Sequence, residues 1–366
     1  MELLLHARCF AALCMTFCNM MKHFKLWPLL ALAGTFALTA CPDKKPAEQS
    51  EAGTGDQPAA EAPLPPAPAF NADSAYAYTA RQVAFGPRVP NTKAHIACGN
   101  YLAATLKRFG LKVQEQPFTA KTFDGVTIKG RNFVAQYQPQ APRRVAVFAH
   151  WDTRPFADED EGANHNKPID GASDGASAVA TALEIARQLS LLPADKAPAV
   201  GVDIILFDAE DWGHDEATQA DVPNQTPAGQ DSWCLGSQYW AKNKLPAGYK
   251  AEYGILLDMV GAKNGHFTRE GTSLQNARPV VDKIWSTADK LGYSNLFSYT
   301  DTGAITDDHV YTNQAGIPTV DIYDHPPYGQ NYFPAYHHSV TDNMAIIDRK
   351  TMKAVGQTVL QVLVME

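Results

Sequence analysis

Four continuous apolar runs, RVAVFA (144–149), VDIILF (202–207), EYGILL (252–257) and IPTVDIY (317–323), leave this chain few ways to fold. None shows the polar alternation of a strand with one wet face, so each predicts a central strand covered on both sides. Helix-like stretches alternate with them: 93–109, stopped by Gly110; 176–189; 279–291, with Pro279 at an opening position; and 349–364, after an Asp348 cap. The alternation predicts an α/β class: a single domain with a central mixed, mostly parallel twisted sheet and helices on both faces. No repeat of fixed period interrupts it.

The N-terminal region has a different composition. Residues 21–40 read MKHFKLWPLLALAGTFALTA, with Lys22 and Lys25 ahead of an apolar core and small residues before Cys41. That is the layout of an export signal, and the apolar run is shorter than the ~20 residues of a spanning helix. Leu38-Thr39-Ala40-Cys41 resembles the lipobox of bacterial lipoproteins, which implies a lipid anchor at Cys41 and a place in the bacterial envelope, on the periplasmic side of the outer membrane or at the cell surface. Residues 1–20 read as an upstream extension. Residues 41–70 are rich in Pro, Ala, Glu and Ser and predict a disordered tether, leaving 71–366 as the folded domain. Of six cysteines only Cys98 and Cys234 fall in that domain, and the sequence leaves open whether they pair. A net charge of -8 with no Lys/Arg block excludes a nucleic-acid partner, and membrane contact is expected only through the anchor. Oligomeric state is not legible.

Acids and histidines gather just after the apolar runs. His150-Trp151-Asp152 follows the first, Asp208 and Glu210-Asp211 the second, and Asp258 closes the third. Ligands of open α/β sheets bind beyond the carboxyl ends of strands, so these groups are expected in one crevice. Two further segments carry candidates: GASDGASAV, with Asp174 ahead of a helix, and YHHSVTDN at 336–343. Singly, His150 reads as well as a core histidine, Asp174 as a helix cap and Glu210-Asp211 as an acidic loop. Adjacent residues point apart, so one of Glu210 and Asp211 could bind metal while the other handles protons. Zinc accepts carboxylate oxygen and imidazole nitrogen, and catalytic sites keep one position open, so Asp, Asp and His make a plausible triad.

Taken together, HWDT, GASDGASAV, FDAED, DSWCLGSQYWAK, LLDMVGAKN, TDDHV, GIPTVDIY and HHSVTDN resemble the zinc-dependent exopeptidase superfamily and, inside it, the animal-type glutaminyl-peptide cyclotransferases (glutaminyl cyclases). The resemblance spans nearly all of 72–366. It implies zinc ligands at Asp174, Asp211 and His338, a general acid/base at Glu210, and a proton-sharing network with Asp258 and Asp307. His150 and Asp152 match the His-x-Asp that supplies a further ligand and its orienting partner in two-zinc aminopeptidases. One zinc is expected for a cyclase and two for an aminopeptidase, which is the alternative; either takes peptide or protein N-termini. The chain departs from the cyclase pattern in having His337 where a Trp usually precedes the ligand histidine, Thr306 for a Gln, and Asp321 for a His. Trp212, Trp233, Tyr336 and His337 are candidates for the aromatic wall that the missing Trp would provide.

Overall fold

The computed structural model describes residues 63–326 and 332–366. The upstream extension, the expected signal, Cys41 and the tether up to residue 62 lie outside the described residues. In chain order the elements are α1 (Ala72–Val83), α2 (Lys93–Arg108), β1 (Lys112–Lys121), β2 (Thr127–Tyr137), β3 (Arg144–His150), α3 (Ala178–Ser190), β4 (Gly201–Phe207), α4 (Leu235–Lys242), β5 (Tyr253–Asp258), β6 (Phe267–Arg269), α5 (Gly271–Lys290), β7 (Phe297–Asp301), α6 (Asp308–Gln314), β8 (Thr319–Tyr323) and α7 (Arg349–Val364). The main sheet runs β1-β2-β4-β3-β5-β8. Strands β4, β3, β5 and β8 are mutually parallel, whereas β1 and β2 form an antiparallel flank.

All four apolar runs are strands, and burial on both faces explains their lack of alternation. Along β3, Val145, Val147 and Ala149 join the core under α3, α5 and α7. Ala146 and Phe148 face the other way, into a cluster with Trp240 of α4. The four expected helices are also present, with one adjustment. The third begins at Gly271 rather than 279, because Glu270 caps it by accepting from Thr272 and Ser273 backbone N–H, and the chain kinks at Ala277 just before Pro279. The last is capped by Asp348, as expected.

The folded part reaches back into the segment expected as tether. Phe70 is buried against Gly356 of α7. Gln361 and Gln357 donate to the carbonyls of Pro65 and Pro68, at 2.9 and 3.1 Å, so these residues are docked rather than loose. Cys98 and Cys234 are both free and buried. No described helix is long and apolar enough to cross a membrane.

Candidate functional site

Because β3, β4 and β5 are parallel, their carboxyl ends deliver His150, the 208–211 turn and Asp258 to one edge of the sheet. The turn after β4 is fixed from both sides. Asp152 accepts the backbone N–H of Glu210 and of Asp211, at 3.1 and 3.2 Å. Across the chain, Cys234 and Leu235 N–H donate to the carbonyls of Glu210 and Ala209, each at 2.9 Å.

The loop ahead of α3 is built with similar economy. Asp174 and Gly175 have non-helical backbone in an otherwise helical turn, and the carboxylate of Asp342 accepts N–H from Ser173 and Asp174 at 2.7 and 3.0 Å. Residue 175 has φ of +32° and a Cβ there would stand 2.6 Å from the His150 carbonyl, so glycine lets the loop close onto β3. Four non-glycine residues flanking the site, Ala209, Cys234, Met259 and His338, sit in the left-handed region. Such conformations cost roughly 1–3 kcal/mol each and persist where the surroundings impose them, commonly at active sites.

One pocket of about 260 Å³ is lined by Asp174, Glu210, Asp258, Asp307, His338, Trp233 and His337, with Ile305, Tyr332 and Phe333 among its apolar walls. Asp211 is buried beside His338, its Oδ1 3.0 Å from His338 Nε2. His150 lies beneath, its Nε2 3.0 Å from Asp174 Oδ1 and 3.1 Å from Asp258 Oδ1, and its Nδ1 3.6 Å from Asp152.

The electrostatics follow from packing acids out of water. Burial, reinforced by Asp307, Asp211 and Asp308 against the opposing pull of His150, pushes Glu210 well above the usual carboxylate range. Asp258 is pushed up to about 7 by burial and by Asp174, although the His150 hydrogen bond opposes this. Burial also raises Asp307. Asp174 goes the other way: burial would raise it, but the hydrogen bond and charge of His150 hold it below the ordinary range. Burial and the nearby Arg154 hold His338 down to about 3, so its ring is neutral and able to bind metal.

The residues fit a zinc ion. Both oxygens of buried Asp211 lack any hydrogen-bond partner, although Oδ1 lies 3.0 Å from His338 Nε2. Two acceptors turned toward each other without a hydrogen bond are the expected signature of groups that share a cation. Asp174 Oδ2 lies 4.0 Å from the same nitrogen. Asp174, His337 and His338 also offer atoms close enough to share an ion, but His337 is stacked face to face between Phe333, at 4.2 Å, and His338, at 3.5 Å, and reads as wall.

Three sequence expectations need correction. Trp212 does not reach the pocket; it packs with Phe123, Ala209 and Leu235, with Phe156 against it, because the turn points it away from the sheet edge. Tyr336 lies behind the wall and donates to Asp324 at 2.7 Å. Asp208 is not in the crevice either: its carboxylate receives His95 Nε2 at 2.9 Å and Arg131 N–H at 2.6 Å.

Other contributors were not anticipated. The Cys234 thiol donates to Glu210 Oε1 at 3.3 Å. Arg154 and Asp158 form a buried pair beside His338 and Trp233. Burial would raise Asp158, but the Arg154 guanidinium overrides it and holds the carboxyl down to about 2. In the sequence these two sit in RPFADEDE, which looks like a solvated charged loop.

Residues 132–363 match peptidase family M28. The chain is similar to a Zn-dependent exopeptidase from Parabacteroides distasonis, with 51% identity, a TM-score of 0.77, and coverage of 82% of this chain and 100% of that one. It is equally similar to Tannerella forsythia glutaminyl cyclase, with 51% identity, a TM-score of 0.76 and the same coverage. A glutaminyl-peptide cyclotransferase of Gloydius blomhoffii is 25% identical over 303 residues, covering 76% of this chain and 77% of that protein.

Proposed function

The chain belongs to peptidase family M28, and from that premise we propose that it converts the N-terminal glutamine of peptides to pyroglutamate with release of ammonia. Its likeness to a bacterial glutaminyl cyclase along that enzyme's whole length supports the reading. The observation that carries it is the gathering of Glu210, Asp258 and Asp307 in one pocket with Asp174 and His338.

In this reading Asp174, Asp211 and His338 hold a single zinc ion. His150, Asp174 and Asp258 also offer atoms close enough to share an ion, so the single-ion reading rests on the likeness to glutaminyl cyclases and on the partnerless oxygens of Asp211 beside His338. Zinc, when bound, polarises the γ-carboxamide oxygen and makes its carbon a better electrophile.

The rest is carried by the chain's own groups. The pocket, walled by Trp233, Ile305, Phe333 and His337, would take the first residue of the peptide and hold its side chain folded back toward its own α-amine. The α-nitrogen forms the new C–N bond as the bond to the carboxamide nitrogen breaks. Glu210 takes the proton that the amine loses and delivers it to the departing nitrogen, which leaves as ammonia. A part-buried carboxyl raised by desolvation and by its acid neighbours suits a group that must both accept and release a proton. Asp258 and Asp307 share the same acidic pocket and relay protons with Glu210. Asp152 holds the 210–211 backbone and orients His150.

Export and lipid attachment at Cys41 belong to the same proposal, supported by the 21–41 sequence; incorporation of labelled palmitate that Cys41→Ser fails to abolish would remove the anchor. The catalytic reading is tested by offering a glutamine-initiated and a leucine-initiated peptide and following mass. Loss of ammonia from the first with the second intact is expected, and release of free leucine would establish an aminopeptidase instead.

A further inference from the structure

Arg154 and Asp158 are both fully buried, although neither lines the pocket. The guanidinium grips Asp158 with two parallel hydrogen bonds, Nε to Oδ1 at 2.6 Å and Nη2 to Oδ2 at 2.5 Å. Its remaining nitrogen donates to the carbonyls of Asp211 and Gly213, at 3.1 and 3.2 Å. The same cation lies 4.6 Å from the Trp233 ring, which stacks on His338 at 5.7 Å and 13°. Thr218 donates to Asp158 Oδ2 at 2.9 Å, so Oδ1 is the oxygen with capacity to spare. That oxygen lies 3.7 Å from His338 Nδ1, a buried nitrogen that has no hydrogen-bond partner and sits just beyond hydrogen-bond reach of the carboxylate.

Buried ion pairs seldom repay the cost of removing both charges from water, so stability alone is a poor reason for this one. Its geometry suggests a different use, since a metal-bound histidine ordinarily gives its second N–H to a carboxylate, which fixes the tautomer and the ring plane. We propose that Asp158, locked by Arg154, is the positioning residue for His338: with the ring drawn in from 3.7 Å to hydrogen-bond distance it receives the Nδ1–H and leaves Nε2 facing Asp211 as the metal-binding nitrogen. The proposal rests on the reading of His338 as a zinc ligand. Arg154 thereby ties the ring orientation of one ligand to the backbone of another.

The test measures zinc affinity of the full chain by competition with a chelator, for the native protein, Asp158→Asn and His338→Ala. Asp158→Asn is expected to weaken zinc binding about 10- to 100-fold, and His338→Ala by more. If His338→Ala lowers affinity and a folded Asp158→Asn does not, the positioning role is overturned while the ligand reading stands. If neither lowers it, both fall. Removing one member of a buried pair can prevent folding, so the native protein supplies a second readout: nitrogen-15 spectra of the histidines. His338 protonated on Nδ1 supports the proposal, and His338 protonated on Nε2 overturns it. Neither measurement uses turnover, so both remain informative whatever the reaction proves to be.

Discussion

Replacing Glu210 with Gln separates proton transfer from every other property of the site. The side chain is part-buried beside Asp211, Asp307 and Asp308, whose charges oppose its ionisation. Gln keeps the volume and still offers an oxygen to the Cys234 thiol, now 3.3 Å from Oε1. It also removes one acid from a crowded cluster, so thermal stability should hold or rise. Asp174, Asp211 and His338 are untouched, so zinc content should stay at the native value. What is lost is the carrier between amine and ammonia. A positioned general acid/base contributes about 10²–10⁴ in rate, or roughly 3–5 kcal/mol at 1.36 kcal/mol per tenfold. The assay follows ammonia release from a glutamine-initiated peptide alongside metal analysis and a thermal melt. Native turnover in Glu210→Gln would refute the role, and loss of zinc along with activity would mean that Glu210, not Asp211, binds the metal.

Gly213 touches the wall from behind: a Cβ there would stand 1.9 Å from the Trp233 ring, so Gly213→Ala should displace the indole and raise KM about two- to tenfold, the equivalent of ~0.5–1.5 kcal/mol of lost ring contact; an unchanged KM would remove Trp233 from substrate binding. Glu270 gives a pH signature. Burial would raise it, but His309 and the Thr272 and Ser273 N–H groups hold it down to about 2 against an unperturbed 4.5. A depressed folded value means that the stabilisation is complete above about 4.5 and lost as pH falls toward 2, so Glu270→Gln should flatten the acid unfolding curve in that window; a curve parallel to the native one would contradict this. Cys98 and Cys234, free and buried, should resist a thiol reagent in the native protein and react only on unfolding, as read by mass spectrometry of their peptides.

The parts of this fold legible in the sequence are those whose pattern is decided locally. Strands β3, β4, β5 and β8 are apolar on both faces, and the acids that follow them announce the rim of a parallel sheet. The antiparallel flank is far less visible, because β1, KVQEQPFTAK, mixes exposed and half-buried residues and buries only Gln116 and Phe118, like many surface segments. Trp212 and Asp208 adjoin Glu210 and Asp211 in sequence but part from them in space, at a turn whose left-handed Ala209 nothing local forecasts. Asp342 and the Arg154–Asp158 pair act across long chain separations, supporting Asp174 and His338 through contacts that exist only after folding.

The account depends on one divalent ion held by Asp174, Asp211 and His338, and diffraction from crystals of the zinc-loaded protein, collected on either side of the zinc absorption edge, tests it most directly. The expected map has a single anomalous peak about 2 Å from ligand atoms of those three residues. A second peak of similar height between His150, Asp174 and Asp258, or a lone peak remote from Asp211 and His338, would contradict it.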